Sequence, residues 1–152
     1  MPTSRRIRRL QVAPEHVWEV IADPHHLPRW WPGVKRMEGV GPDAWTEVHM
    51  TKKGRAVRLD FRLLESQPLE LADGGSWRRA WEQEIEGTPF ERVLDEAITE
   101  VTLTATGDGT EVTLERRERL RGSTRLGGGL MLKRATRKRL DQALDELERI
   151  LS

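Results

Sequence analysis

From residue 34 to residue 121 the apolar residues recur at every second position, and the longest remaining helical pattern lies at the C-terminus. Val57, Leu59, Phe61 and Leu63 alternate with Arg58, Asp60 and Arg62, the pattern of a strand with one dry and one wet face. Turn signals at Gly41-Pro42-Asp43, Lys53-Gly54 and Gly107-Asp108-Gly109 cut this region into antiparallel pieces. Strands are predicted over 34–40, 45–52, 56–64, 77–86, 92–106 and 110–121, with 69–75 a loop or a brief extended piece. A first strand is read over 5–12. Pro14 then opens a helix carrying Val17, Trp18, Val20 and Ile21 on one face. Asp23-Pro24 stops that helix and caps a second short one, which ends at Trp30-Trp31 before Pro32-Gly33. Leu140, Leu144, Leu147 and Leu151 keep helical spacing to the end.

Composition narrows the classes. The 152 residues match one domain, read as 1–152 without repeat or linker. The 26 basic and 25 acidic residues leave a net charge of +1, which gives no global pull toward nucleic acid. With no cysteine, a disulfide scaffold, a thiol nucleophile and a thiolate metal site are excluded. The apolar runs are too short to span a bilayer, and residues 1–6 lack the apolar core of a secretion signal, so a cytoplasmic location is expected.

A long sheet with one apolar face needs a cover, and the C-terminal helix is the long element at hand. One helix covers a strip about 10–12 Å wide, less than a twisted sheet of six or seven strands. The remaining concavity is left to the short helices, to large side chains or to a cavity. Six tryptophans, beside two Phe and no Tyr, are its obvious lining.

The stretch Val12-Ala13-Pro14-Glu15-His16-Val17-Trp18-Glu19-Val20-Ile21-Ala22-Asp23-Pro24, continued by Leu27-Pro28-Arg29-Trp30-Trp31-Pro32-Gly33-Val34, resembles the opening of the START-like (SRPBCC) superfamily, which includes polyketide cyclase/dehydrase and lipid-transport proteins. Gly107-Asp108-Gly109-Thr110-Glu111-Val112-Thr113-Leu114 is similar to its late hairpin, and the terminal Leu/Ala-patterned helix to its long last helix. The resemblance implies an α+β helix-grip fold: a seven-stranded antiparallel sheet wrapped around the C-terminal helix, two short helices after the first strand, and an apolar cavity between sheet and helix. It does not choose among the carriers, cyclases, cochaperones and stress proteins that share the scaffold.

Candidate cavity residues follow from the strand faces. Trp30 and Trp31 stand where the second short helix returns to the sheet, either touching a ligand or plugging that end. Phe61 belongs to the dry face of its strand. Trp77, Trp81 and Ile85 share a face with Arg79 and Gln83; Val93, Ala97, Val101 and Leu103 share one with Asp95 and Thr99; Val112, Leu114 and Leu120 share one with Arg116 and Glu118. These polar groups either converge as directional groups in an apolar pocket, close into a salt-bridge network, or are turned outward by a bulge. After Gly127-Gly128-Gly129, Leu130, Met131 and Leu132 form either a lid over the cavity or a closely packed helix start.

Other chemistry finds no footing. His25-His26 are adjacent and diverge, His16 points outward and His49 stands alone in a strand, so no metal is expected. The serines lie at termini or turns without a nucleophile elbow, and the triple glycine lacks the Lys-Ser/Thr of a phosphate loop. No cofactor is expected. Arg116 to Arg139 holds ten basic residues against Glu118, and Arg5, Arg6, Arg8 and Arg9 join them from the first strand. A solvated face with cross-strand ion pairs is the expected outcome. Without Tyr, and with aliphatics on the inner face of 56–64, no cyclase constellation carries over, and catalytic residues stay unassigned. The expected function is non-catalytic binding or transport of a small hydrophobic molecule (lipid, isoprenoid or polyketide-like). The alternatives are a cyclase/dehydratase using Arg79, Asp95, Arg116 or Glu118, and an interaction module using the basic surface. Expected partners are that small molecule, a weak contact with an anionic membrane surface and a second copy of the chain, with no specific nucleic acid.

Overall fold

The computed structural model describes residues 3–68, 76–122 and 128–152; the expectations for 69–75 and for Gly127 lie outside them. In chain order the elements are β1 (Thr3–Leu10), α1 (Pro14–Ile21), a 3-10 turn (Pro24–His26), α2 (Leu27–Trp30), β2 (Val34–Glu38), β3 (Ala44–Met50) and β4 (Ala56–Gln67). Then follow β5 (Ser76–Gln83), a second 3-10 turn (Pro89–Arg92), β6 (Leu94–Ala105), β7 (Thr110–Leu120) and α3 (Gly128–Leu151). The strands form one seven-stranded sheet in the order β1-β7-β6-β5-β4-β3-β2, antiparallel at every step. With the long C-terminal helix and the short helices after β1, this is the expected helix-grip architecture. No helix among the described residues is long and apolar enough to cross a membrane.

Local chemistry explains the elements. Pro14 sits in the first turn of α1, where a missing N–H costs nothing, and Val17, Val20 and Ile21 are buried. Asp23 Oδ1 accepts the His25 backbone N–H at 2.9 Å and starts the 3-10 turn. At the β6–β7 hairpin, a Cβ on Gly109 would stand 2.0 Å from the Leu10 carbonyl oxygen. Only glycine lets the end of β1 cross there. Thr110 Oγ1 then donates to the Val12 carbonyl at 2.7 Å and fixes that crossing.

The predicted strand ends need correction. Strand 77–86 stops at Gln83, since Glu84 N–H turns to the Asp60 carbonyl at 2.8 Å. Strand 92–106 begins only at Leu94, because Thr88 Oγ1 accepts the Phe90 N–H and caps a 3-10 turn over Pro89–Arg92. A bulge between Leu94 and Glu96 then shifts the register of β6 against β7.

Two apolar clusters hold the inner side of the sheet. The larger joins the buried faces of α1 and α2 to the sheet and to Leu140, Ala143, Leu144 and Leu147 of α3. The smaller gathers Ile85, Leu94, Ala97 and Leu120, with Phe90 and Leu132 against it. The basic first strand is matched by acids on both sides. Arg5 and Arg9 pair with Glu115 and Glu111 of β7, while Arg6 pairs with Asp141 and Arg8 with Asp145 and Glu148 of α3. Each exposed pair contributes only about 0–1 kcal/mol, but together they orient α3 along β1.

Candidate functional site

Between the two clusters, under α3, lies a hollow of about 630 Å³. Strand pairing brings its wall together. Trp45 pairs with Phe61 and Phe61 with Gln83, while Glu118 stands beside Ala97 on the far strands. One step toward the β3–β4 turn, Glu47 pairs with Leu59 and His49 with Val57. The apolar lining comes from both clusters: Trp31, Leu59 and Phe61 from the larger, Phe90, Leu94 and Leu120 from the smaller.

The polar side of the hollow is a set of mutually supported charges. Glu47, which is 2% exposed, lies with its Oε1 3.0 Å from His49 Nε2. Glu118 Oε1 accepts from Thr136 Oγ1 of α3 at 2.7 Å, and its Oε2 lies 3.6 Å from Arg116 Nε. Arg116 Nη1 also donates to Thr99 Oγ1 at 2.9 Å. Arg139 reaches in from α3. Burial of its guanidinium pulls the group below the ordinary value, with Arg116 adding to the effect and Glu118 and Glu47 opposing it. With Arg116, Glu47 and Glu118 it lines the same hollow.

Several residues that the sequence puts at the cavity stand elsewhere. Trp31, Phe61, Gln83, Arg116 and Glu118 line the hollow. Trp77 and Trp81 do not border it; they lie in the larger cluster, Trp77 edge-on to Trp18 at 5.4 Å and Trp81 to Trp31 at 6.4 Å. Trp30 is also inside that cluster, edge-on to Trp31, and touches only an outer groove between α2 and α3. Arg79 is buried with its guanidinium carbon 5.7 Å above the Trp45 ring and Nη1 donating to Ser66 Oγ at 3.2 Å. Asp95 faces out, because the bulge turns its side chain to Arg121, whose Nε lies 2.6 Å from Oδ1. Leu130 and Met131 are exposed and do not cover the hollow; the next residue, Leu132, does touch it.

Glu47, His49 and Arg139 escape the sequence reading, although each carries a signal. Glu47 and His49 alternate with Trp45, so an inward Trp45 turns both inward. Arg139 follows Leu132 and Thr136 at helical spacing, on the stripe facing the sheet. His49 is therefore not alone in its strand: its partner is two residues away. Among the described residues no group of three or more acids and histidines could hold a metal ion.

Burial also leaves four side-chain N–H groups without a partner among the described residues: Nε1 of Trp30, Trp45 and Trp77, and Nε2 of Gln83. Each of the three indoles stands edge-to-face against another indole, a contact in which a positive ring edge meets a negative ring face. Gln83 has no such contact and borders the hollow.

The family model described as polyketide cyclase / dehydrase and lipid transport matches residues 1–152. No curated protein matches the chain in sequence. Solved structures with the same fold include XoxI from Bacillus cereus, at 12% identity and TM-score 0.73 over 99% of this chain and 96% of that one. A START superfamily protein from Mycobacterium smegmatis is 10% identical, with TM-score 0.74 over 98% of this chain and 96% of that one. The di-domain ARO/CYC BexL from the BE-7585A biosynthetic pathway is 19% identical, with TM-score 0.75 over 98% of this chain but 46% of its own, so this chain spans about half of it.

Proposed function

The chain belongs to the polyketide cyclase/dehydrase and lipid-transport family, and from that premise we propose that it binds a small, largely apolar molecule in the hollow and carries it without reaction. The supporting observation is the space itself: about 630 Å³ between two apolar clusters, within the range of roughly 300–1,000 Å³ usual for small-ligand sites. Affinity comes from apolar surface leaving water, at roughly 25 cal/mol per Å² before the cost of ordering the ligand.

Native mass spectrometry of the chain purified from its own host tests this reading. The expected result is a bound mass that disappears on denaturation and on Leu59→Trp, which fills the hollow with an indole. A ligand retained by the Leu59→Trp variant would place it elsewhere and end the proposal.

One observation supports a cyclase or dehydratase instead. A carboxylate-oriented imidazole, Glu47–His49, stands at the wall of the hollow, and such a pair can act as a general base. Under that reading His49→Gln abolishes conversion of the co-purified ligand and spares its binding. A ligand whose mass and chromatographic retention are both unchanged after prolonged incubation with the wild-type chain argues for carriage. Exposed Leu130 and Met131 beside Lys133 and Arg134 support a weak contact with anionic membrane, which co-sedimentation with anionic vesicles tests.

A further inference from the structure

We infer that the molecule held in the hollow bears a single carboxylate, and that the Arg139 guanidinium receives it while the apolar body lies against Trp31, Leu59 and Phe61. The inference rests on the ligand-binding reading and adds the ligand's charge and the group that recognises it.

Among the described residues, the ionisable side chains bordering the hollow are Glu47, His49, Arg116, Glu118 and Arg139. All but the last are engaged. Glu47 Oε1 lies 3.0 Å from His49 Nε2, Glu118 takes Thr136 and Arg116, and Arg116 also holds Thr99. The Arg139 guanidinium has no hydrogen bond or ion pair among the described residues. Its place is fixed by α3, where it follows Thr136 by about one turn, and the Thr136 hydroxyl ties that turn to Glu118 of β7. Burial pulls the group below its ordinary value, and Glu47 and Glu118 oppose that fall without reaching ion-pair distance. With His49 neutral the formal charges of the wall cancel, but a cancelled sum is not a contact. A partly desolvated cation without a partner costs free energy that a counter-ion returns.

A carboxylate suits that partnerless fork, because its two oxygens match the paired N–H groups of a guanidinium. Part of Arg139 is open to solvent, so an anion docked there keeps some of its water and avoids the full cost of burial. The two acids of the wall limit the charge to one. A dianion such as a phosphate monoester brings a second negative charge against Glu47 and Glu118, while Arg116 is already committed to Glu118. An ammonium meets two arginines and two carboxylates that already have partners.

Equilibrium dialysis with four probes tests the inference: naphthalene, 2-naphthoate, 2-naphthylmethylammonium and 2-naphthyl phosphate, at about pH 8, where the phosphate carries two charges. Naphthoate is expected to bind about tenfold more tightly than naphthalene, as one charge-assisted contact at a partly wet site supplies. The ammonium and the phosphate should both bind more weakly than naphthoate. Arg139→Gln keeps polar N–H groups without the charge, and Arg139→Met keeps the apolar stem alone. In either variant the ratio of naphthoate to naphthalene affinity should fall to about one. If one variant does not fold the other carries the comparison, and the ranking on the wild-type chain decides without them. Failure of all four probes to bind the wild-type chain would overturn the binding reading. Naphthalene binding with no naphthoate advantage, an advantage that survives the loss of the Arg139 charge, or a phosphate or ammonium ahead of naphthoate would overturn this inference and leave the binding reading standing.

Discussion

At the end of the concave face nearest α1, Trp77 and Trp81 from the sheet meet Trp18, Trp30 and Trp31 from the helices, and the space is closed. At the other end Leu59, Leu94 and Leu120 share the wall of an open volume with Glu47, Arg116 and Glu118. The same sheet and the same gripping helix serve both ends. What differs is side-chain chemistry: large rigid rings can tile a dry interior, whereas ionised groups pack dry only at a heavy cost in lost hydration. Placing charges on the inner face of β3 and β7 therefore keeps part of that face open. Indole volume goes where the hollow is not, and of the six tryptophans only Trp31 borders it.

Substitutions at the two ends can break this contrast. Trp81→Ala removes a ring that is 3% exposed and stands against both Trp31 and Trp45. The expected loss is about 3–5 kcal/mol in chemical denaturation. Leu59→Ala, at the half-buried wall of the hollow, should cost far less; an equal loss would mean that the hollow is packed as tightly as the indole end. Next in size is Glu118→Ala, which takes the acceptor from Thr136 and the carboxylate from Arg116. In a dry core such a break costs about 3–5 kcal/mol, and beside open volume about 2 kcal/mol is expected. The paired change Arg116→Met with Glu118→Leu should recover most of that loss. If it does not, the charges are structural in themselves rather than tolerated by the space around them.

The division between the two ends was only partly legible in the sequence. Alternation and turn signals located every strand and the gripping helix, because the two-residue period and the Gly107-Asp108-Gly109 turn are local properties. The faces of β5 and β7 were equally readable, and Gln83, Arg116 and Glu118 lie where their alternation with apolar neighbours puts them. Asp95 was not, because a bulge is an extra residue without a pattern of its own, and it reverses every face on one side of it. The indoles misled for a different reason. A large ring on an inner face either lines a cavity or fills it, and the choice depends on what arrives from α1 and α2. Glu47 and His49 could have been found by carrying the Trp45 face two and four residues onward.

The smallest test concerns the charge at the closed end. Arg79 is buried against the Trp45 ring and Ser66; burial pulls its guanidinium below the ordinary value and the Asp23 carboxylate pushes it back up. Partial burial raises the Asp23 carboxyl, but the hydrogen bond from the His25 backbone and the contact with the His25 ring outweigh it and hold the group below its ordinary value. The folded chain thus binds a proton at Asp23 less readily than the unfolded chain does. The stability this supplies is whole above the unfolded value and is lost as pH falls through the folded one. Asp23→Ala should cost about 1 kcal/mol at neutral pH through the lost cap, and the deficit should shrink in acid below the carboxylate range. Asp23→Asn keeps an acceptor for the turn and removes the charge, so its deficit should be smaller still and vanish in the same acid window. Thermal melts of the three proteins across that window decide the matter. A deficit for Asp23→Asn that stays constant with pH would show that the Asp23 charge adds nothing to the fold and that the turn needs only an acceptor at this position.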